Sequence, residues 1–149
     1  MGKHDRIAAQ IAGQETAGRW HPCYLEYFRL FNARSYYAAH DILEHIWLGS
    51  DGERHVFYKA LIQFAGGFVH LQHHHREPAH RIHGRRLRPA ARLFLRSVEL
   101  LETFPENHEG ISLAVVRQTA LDTADQLART AFTQNPWCPK NAPRLDPPA

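Results

Sequence analysis

At 149 residues the chain suits one domain built round a single core. Hydrophobic content of 44% with 11% aromatics is that of globular protein. No apolar run reaches the roughly 18 residues of a membrane-spanning helix, which excludes that class. The formal charge of +3 hides a segregation: residues 76–96 hold seven Arg and one Glu, whereas residues 97–128 hold six acids and one Arg. Opposed segments of this kind are expected to neutralise each other across a fold rather than to mark a nucleic-acid surface.

The opening stretch, MGKHDRIAAQIAGQETAGRW, has no apolar signal core and no cleavage site, so a cytoplasmic chain is expected. Residues 1–20 read as an N-terminal extension with a short, weakly anchored helix over 5–15. Pro22 suits a first helical turn, and Tyr24, Leu25, Phe28 and Phe31 form one apolar face up to Asn32. Ser35 can cap a second bundle helix over 36–48 that stops at Gly49, and Asp51 a third over 53–74, the longest in the chain. Two Pro and a Gly in EPAHRIHGRRLRP interrupt the pattern. A fourth helix is predicted over 89–103, with Leu93, Leu95, Val98, Leu100, Leu101 and Phe104 apolar. FPENHEG is a break, and a fifth helix runs over 113–129 behind Ser112. The tail, 131–149, is Pro-rich and expected to extend along the surface. The periodicity is helical throughout 21–130, which predicts an all-α bundle of about five helices and no sheet.

Cys23 and Cys138 lie far apart without CxxC spacing, which fits a reduced setting, with one long-range disulfide as the other arrangement. The 15 Arg against 3 Lys fit a GC-rich genome better than a function. Six of the 12 His fall between His70 and His83, at a helix end and in a polar loop, where solvation and fortuitous metal affinity are expected.

The stretch YYAAHDILEHIW places His40 and Glu44 one turn apart on a core-facing helix. Tyr36, His40, Leu43 and Trp47 form one stripe at i, i+4, i+7 and i+11. On the next helix Phe57, Leu61, Phe64, Phe68 and Leu71 make a bulky stripe; Val56, Ala60, Gln63, Gly67, His70 and His74 make a small, polar one. Gly66 and Gly67 each cost a helix roughly 1 kcal/mol against Ala, so close approach of another element is expected there. With the preceding helix as that element, His40 and Glu44 face Gln63 and His70. Two readings follow. The four residues, with Trp47 beside them, satisfy one another as a buried network that fixes register. Or they form a site, binding a small ligand, serving as general base and orienter, or holding a divalent metal such as zinc through His40, Glu44 and His70.

Taken together, LFNARSYYAAHDILEHIW, FYKALIQFAGGFVHLQ, LRPAARLFLRSVELLETFP and the GIS that opens the last helix are similar to the small helical proteins of the domain of unknown function 309 family, over about residues 24–128. The resemblance implies an all-α fold and a shared polar cluster at His40, Glu44, Gln63 and His70 with Trp47 beside it; it implies no activity. Ala38 and Asp41 stand where that family usually has Glu, Arg34 where a turn Gly is common, and Pro89 in place of a Gly entering the fourth helix. The loss of a carboxylate at 38 counts against a metal.

The expected function is thus an interaction or small-ligand-binding module. A metal-dependent hydrolase using His40, Glu44 and His70 is the alternative, and weak nucleic-acid binding through the Arg/His-rich 73–96 segment a further one. Homo-oligomerisation stays open, no membrane partner is expected, and the weight falls against nucleic acid as the natural partner.

Overall fold

A computed structural model describes residues 2–11 and 19–149. It holds six α-helices: α1 Lys3–Ile11, α2 Pro22–Asn32, α3 Tyr36–Trp47, α4 Gly52–Arg76, α5 Leu87–Leu101 and α6 Leu113–Arg129. The five expected bundle helices are α2–α6, and their ends fall within about two residues of the expected ones, the usual uncertainty of a helix end. The helix expected over 5–15 is α1, and residues 12–15 of that expectation lie outside the described residues. α5 starts two residues before Pro89, which occupies its first turn, where the missing N–H has no intrahelical acceptor to lose.

The expectation of no sheet fails. Asn107–His108 (β1) and Ile111–Ser112 (β2) pair antiparallel, with Asn107 opposite Ser112 and His108 opposite Ile111. Glu109 and Gly110 between them have φ of 49° and 77°, the two left-handed residues of a tight hairpin turn. The FPENHEG break is therefore a two-residue ribbon whose turn geometry, not strand propensity, closes it.

α4 is the axis of the core. Its bulky stripe is buried throughout, from Phe57 and Leu61 to Phe64, Phe68 and Leu71. Phe31 of α2 stacks on Phe64 with centroids 5.5 Å apart, Tyr36 of α3 stacks on Phe68 at 5.3 Å, and Phe94 of α5 meets Phe68 edge-on at 4.9 Å. Aromatic contacts of this kind contribute roughly 0.5–1.5 kcal/mol each beyond area burial. In α2 it is Tyr27 rather than Leu25 that completes the buried face; its hydroxyl donates to the Leu61 carbonyl at 2.7 Å. Leu95 of α5 stays exposed.

The glycine pair lies against α5, not α3. A Cβ on Gly67 would stand 2.5 Å from the Phe94 ring, and one on Gly66 3.1 Å from Leu93. The close approach expected from these glycines is real, but its partner is the helix that follows α4.

The tail is extended as expected and also anchored. Trp137 and Leu145 are buried. Trp137 Nε1 donates to Tyr36 Oη at 3.1 Å. The Asn32 side chain both donates to the Leu145 carbonyl and accepts its N–H, each at 2.8 Å, as a strand neighbour would. Cys23 and Cys138 are both free.

α2 and α6 end in the same way. The N–H of Arg34 reaches Phe31 O and that of Ser35 reaches Leu30 O; Ala131 and Phe132 repeat the pattern on Ala128 and Leu127. These are Schellman closures, which want Gly at the left-handed position. Arg34 fills it at φ 62° and Ala131 at φ 51°.

Two stability outcomes are expected in chemical denaturation. Arg34→Gly raises stability by up to about 1 kcal/mol, the relief of a left-handed side chain less the extra entropy of Gly in the unfolded chain. Gly67→Ala lowers it by about 1–3 kcal/mol, since Phe94 is pinned by Phe64 and Phe68 and cannot yield freely.

Candidate functional site

α3 buries Tyr36, Ala39, Ile42 and Leu43. The true core stripe thus runs through Ala39, and His40 lies on its margin with a side chain 29% exposed. His40 Nδ1 stands 3.1 Å from Asp41 Oδ1, and its ring lies over Tyr37. Glu44 accepts from Lys3 Nζ at 2.7 Å, and the same ammonium lies 3.5 Å from Asp41. Hydrogen bonding to Glu44, and then the two carboxylate charges, hold the Lys3 pKa above its ordinary value against the effect of burial. His40, Asp41 and Glu44 therefore form a partly exposed ion-paired patch that ties α1 to α3. Such pairs contribute up to about 1 kcal/mol each.

Trp47 stacks on His55 at 4.6 Å, and His55 Nδ1 meets both Ser50 Oγ and the Trp47 carbonyl. The Trp47 indole N–H is buried without an acceptor among the described residues. Gln63 is half-buried, and its amide hydrogen-bonds none of them.

His70 belongs to another neighbourhood. It lies on the same small, polar stripe of α4 as Gly67, which meets α5. Its Nδ1 is 3.0 Å from Arg86 Nη1, and Arg86 Nε donates to His83 Nδ1 at 2.9 Å. A guanidinium only donates, so both Nδ1 atoms are acceptors and both neutral rings carry their proton on Nε2. Burial first, then the Arg86, His73 and Arg92 charges, push the His70 pKa down to about 4. The expected meeting of His40 and Glu44 with His70 is thus corrected: Glu44 pairs with Lys3, His40 with Asp41 and His70 with Arg86, and it is α5 rather than α3 that lies against the glycines.

The rest of the histidine tract is less solvated than expected. His73, His74 and His83 are half-buried, and His73 stacks on His83 at 4.7 Å with the rings 9° from parallel. His80 packs on the other partner of that stack, 4.5 Å from His83, and its Nδ1 accepts the N–H groups of Ile82 and His83. Among the described residues, Glu77, His80 and His83 are the group whose ligand atoms lie within 4.8 Å of one another; His40, Glu44 and His70 form no such group. A cation between His80 and His83 would have to displace protons from Nε2 or donors from Nδ1, because the present bonds leave neither nitrogen free.

The charge around this tract is unbalanced. Arg76, Arg81, Arg85, Arg86, Arg88 and Arg92 have no carboxylate partner within 4 Å among the described residues; of the seven Arg in 76–96, Arg96 alone has one, Glu99. Three of the six acids expected to offset them are engaged elsewhere. Glu109 pairs with Arg54, Asp125 with Arg129, and Asp122 accepts from Gln118. Apart from Arg96–Glu99, the mutual neutralisation expected from the sequence does not occur by contact among the described residues. Its absence had a signal: no Asp or Glu occurs between Glu77 and Glu99, so no i, i+3 or i, i+4 partner exists for the arginines in the middle of the run.

A histidine with a lowered pKa in the folded state favours folding while neutral, so its contribution is full above about pH 6.5 and lost as pH falls towards 4. Stability should fall across that window. His70→Gln, which keeps an acceptor for Arg86 but cannot titrate, should flatten part of the slope in urea denaturation followed as a function of pH.

No helix among the described residues is long and apolar enough to cross a membrane. No curated protein and no solved structure matches the chain. Residues 24–82 match the family model described as Domain of unknown function (DUF309). The match takes in α2, α3, α4 and the start of the histidine loop, and stops short of α5 and α6, to which the resemblance in the sequence extended. Residues 24–82 are thus similar to the DUF309 family, whose description assigns no function.

Proposed function

We propose that the protein is a binding module for anionic ligands, and that its binding face is the arginine-bearing segment from the end of α4 to the first turns of α5. One observation carries this reading: six arginines between Arg76 and Arg92 have no carboxylate partner among the described residues, while the nearby histidines offer them only neutral ring nitrogens. Clustered guanidiniums repel one another, and at an effective dielectric near 20 two unit charges about 8 Å apart still cost roughly 2 kcal/mol. An anion removes that cost and gains charge-assisted hydrogen bonds.

The same field weighs against the metal-hydrolase alternative. A divalent cation at Glu77, His80 and His83 would sit among these arginines with one carboxylate to balance them. His40, Glu44 and His70 supply no convergent set of donors. The patch at His40 and Glu44 fits a structural link between α1 and α3. Nucleic acid enters as one polyanion among others, since no row of stacking aromatics accompanies the arginines among the described residues.

Fluorescence anisotropy with a labelled single-stranded oligonucleotide, and with polyphosphate as competitor, tests the reading. Binding is expected at about 50 mM salt and should weaken steeply towards about 150 mM as counterion release loses its advantage. Arg81→Gln with Arg85→Gln should reduce both affinity and the salt slope. Failure of both polyanions to bind at low salt would remove the reading.

A further inference from the structure

The arginine face has a concave part. A cleft of about 430 Å³ opens at the start of α5, and Arg85, Arg88 and Arg92 line it together with Pro89, Ala131 and Phe132. Its size falls within the range of about 300–1,000 Å³ common to small-ligand sites. No guanidinium of the three makes a hydrogen bond or an ion pair with a described residue. The Arg88 guanidinium lies over the Phe132 ring, with Cζ 4.2 Å from the centroid. That contact restrains the guanidinium plane and leaves the N–H groups round its edge unpaired, so part of the entropy of ordering a long side chain is met before any ligand arrives.

The wall opposite the arginines is built for this contact. Ala131 and Phe132 are consecutive left-handed residues, at φ 51° and 61°, in the closure that ends α6. The turn they make sends the chain back so that the Phe132 ring comes under Arg88. The start of α5 is also incomplete. Arg86 at its N-cap provides no side-chain acceptor, and no acid stands in the first turn. Leading N–H groups of a helix want an acceptor there, and a ligand oxygen is one that water alone otherwise replaces.

Resting on the anion-binding reading, we propose that this cleft is a seat for a small phosphate-bearing ligand, with Arg85, Arg88 and Arg92 as its charge partners. Phosphate fits better than a single carboxylate because three separate guanidiniums face the cleft. A phosphate monoester or diphosphate brings two or more negative charges and acceptor oxygens on several sides, which three donors can share. The volume exceeds that of bare orthophosphate, so room remains for the organic part or for a second phosphate. Gly84 and Arg85 directly follow His83, and Arg86 is bonded to both His70 and His83. The floor of the seat is thereby fastened to α4 rather than left as a free loop.

Isothermal titration of the full chain with inorganic phosphate and with pyrophosphate tests the seat, beside oligonucleotide anisotropy in the same buffer. Pyrophosphate should bind saturably and more tightly than phosphate. Arg88→Gln with Arg92→Gln should weaken it by about tenfold or more, since each change removes a charge-assisted hydrogen bond. Arg76→Gln with Arg81→Gln, on the same face but outside the cleft, should change it much less. Circular dichroism and the denaturation midpoint report whether each variant is folded; Arg92→Gln alone, which leaves the Phe132 contact intact, serves if the double variant is not. Oligonucleotide binding without saturable pyrophosphate binding overturns the seat and spares the broader anion reading. Equal losses in the two double variants also overturn it, because they would show a diffuse field. Failure of both ligands overturns both.

Discussion

The approach of α5 to α4 at Gly67 is the constraint on which the rest depends. The Phe94 ring occupies the place where any other residue at 67 would put its Cβ. Phe94 is held there by Phe64 and Phe68, and Phe68 in turn carries Tyr36 and Phe31. One missing methyl therefore sets the distance between two helices and, through a chain of rings, the positions of two more. Because interiors are packed at crystal-like density, the arrangement has little freedom to relax.

Polar consequences follow from the same approach. With α5 drawn close, its leading residue Arg86 reaches the polar stripe of α4 and takes His70 and His83 as acceptors. Imidazoles so held are neutral, so they orient the guanidinium without cancelling its charge. The result is a surface whose positive charges are organised but unbalanced. The acids of α5 and α6 are turned to neighbours on their own helices: Glu99 to Arg96, Asp122 to Gln118 and Asp125 to Arg129. Charge neutrality of the whole chain is nearly met while neutrality of this face is not. It is the local field, screened within about 10 Å at ordinary ionic strength, that a ligand meets.

Much of the fold is legible in the sequence because it is local. Helix periods, the stops at Asn32 and Gly49, and the bulky stripe of α4 follow from side-chain pattern and backbone preference within a few residues. Arg34 at a turn position where Gly is favoured also shows in the sequence as an oddity, and its φ of 62° explains it. The small hairpin at 107–112 does not, since two residues per strand leave no alternation to read. The extended tail was expected from its prolines. Its anchoring through Trp137 to Tyr36, more than 100 positions earlier, was not.

The candidate site shows the same division more sharply. From His40, Glu44, Gln63 and His70 the sequence determined which residues are polar on otherwise apolar helices, and that the glycines in α4 must receive a neighbour. Which neighbour was decided only by the tertiary structure. Both α3 and α5 pack on α4, and it is α5 that puts an aromatic ring against Gly67. That choice separates His70 from His40 and joins it to Arg86. The sequence likewise determined that arginines gather between Arg76 and Arg96. Whether acids from the following helix would meet them depended on helix orientation, which composition does not encode. Pairwise contacts between distant segments are set by packing energy summed over the whole core, and no local pattern contains that sum.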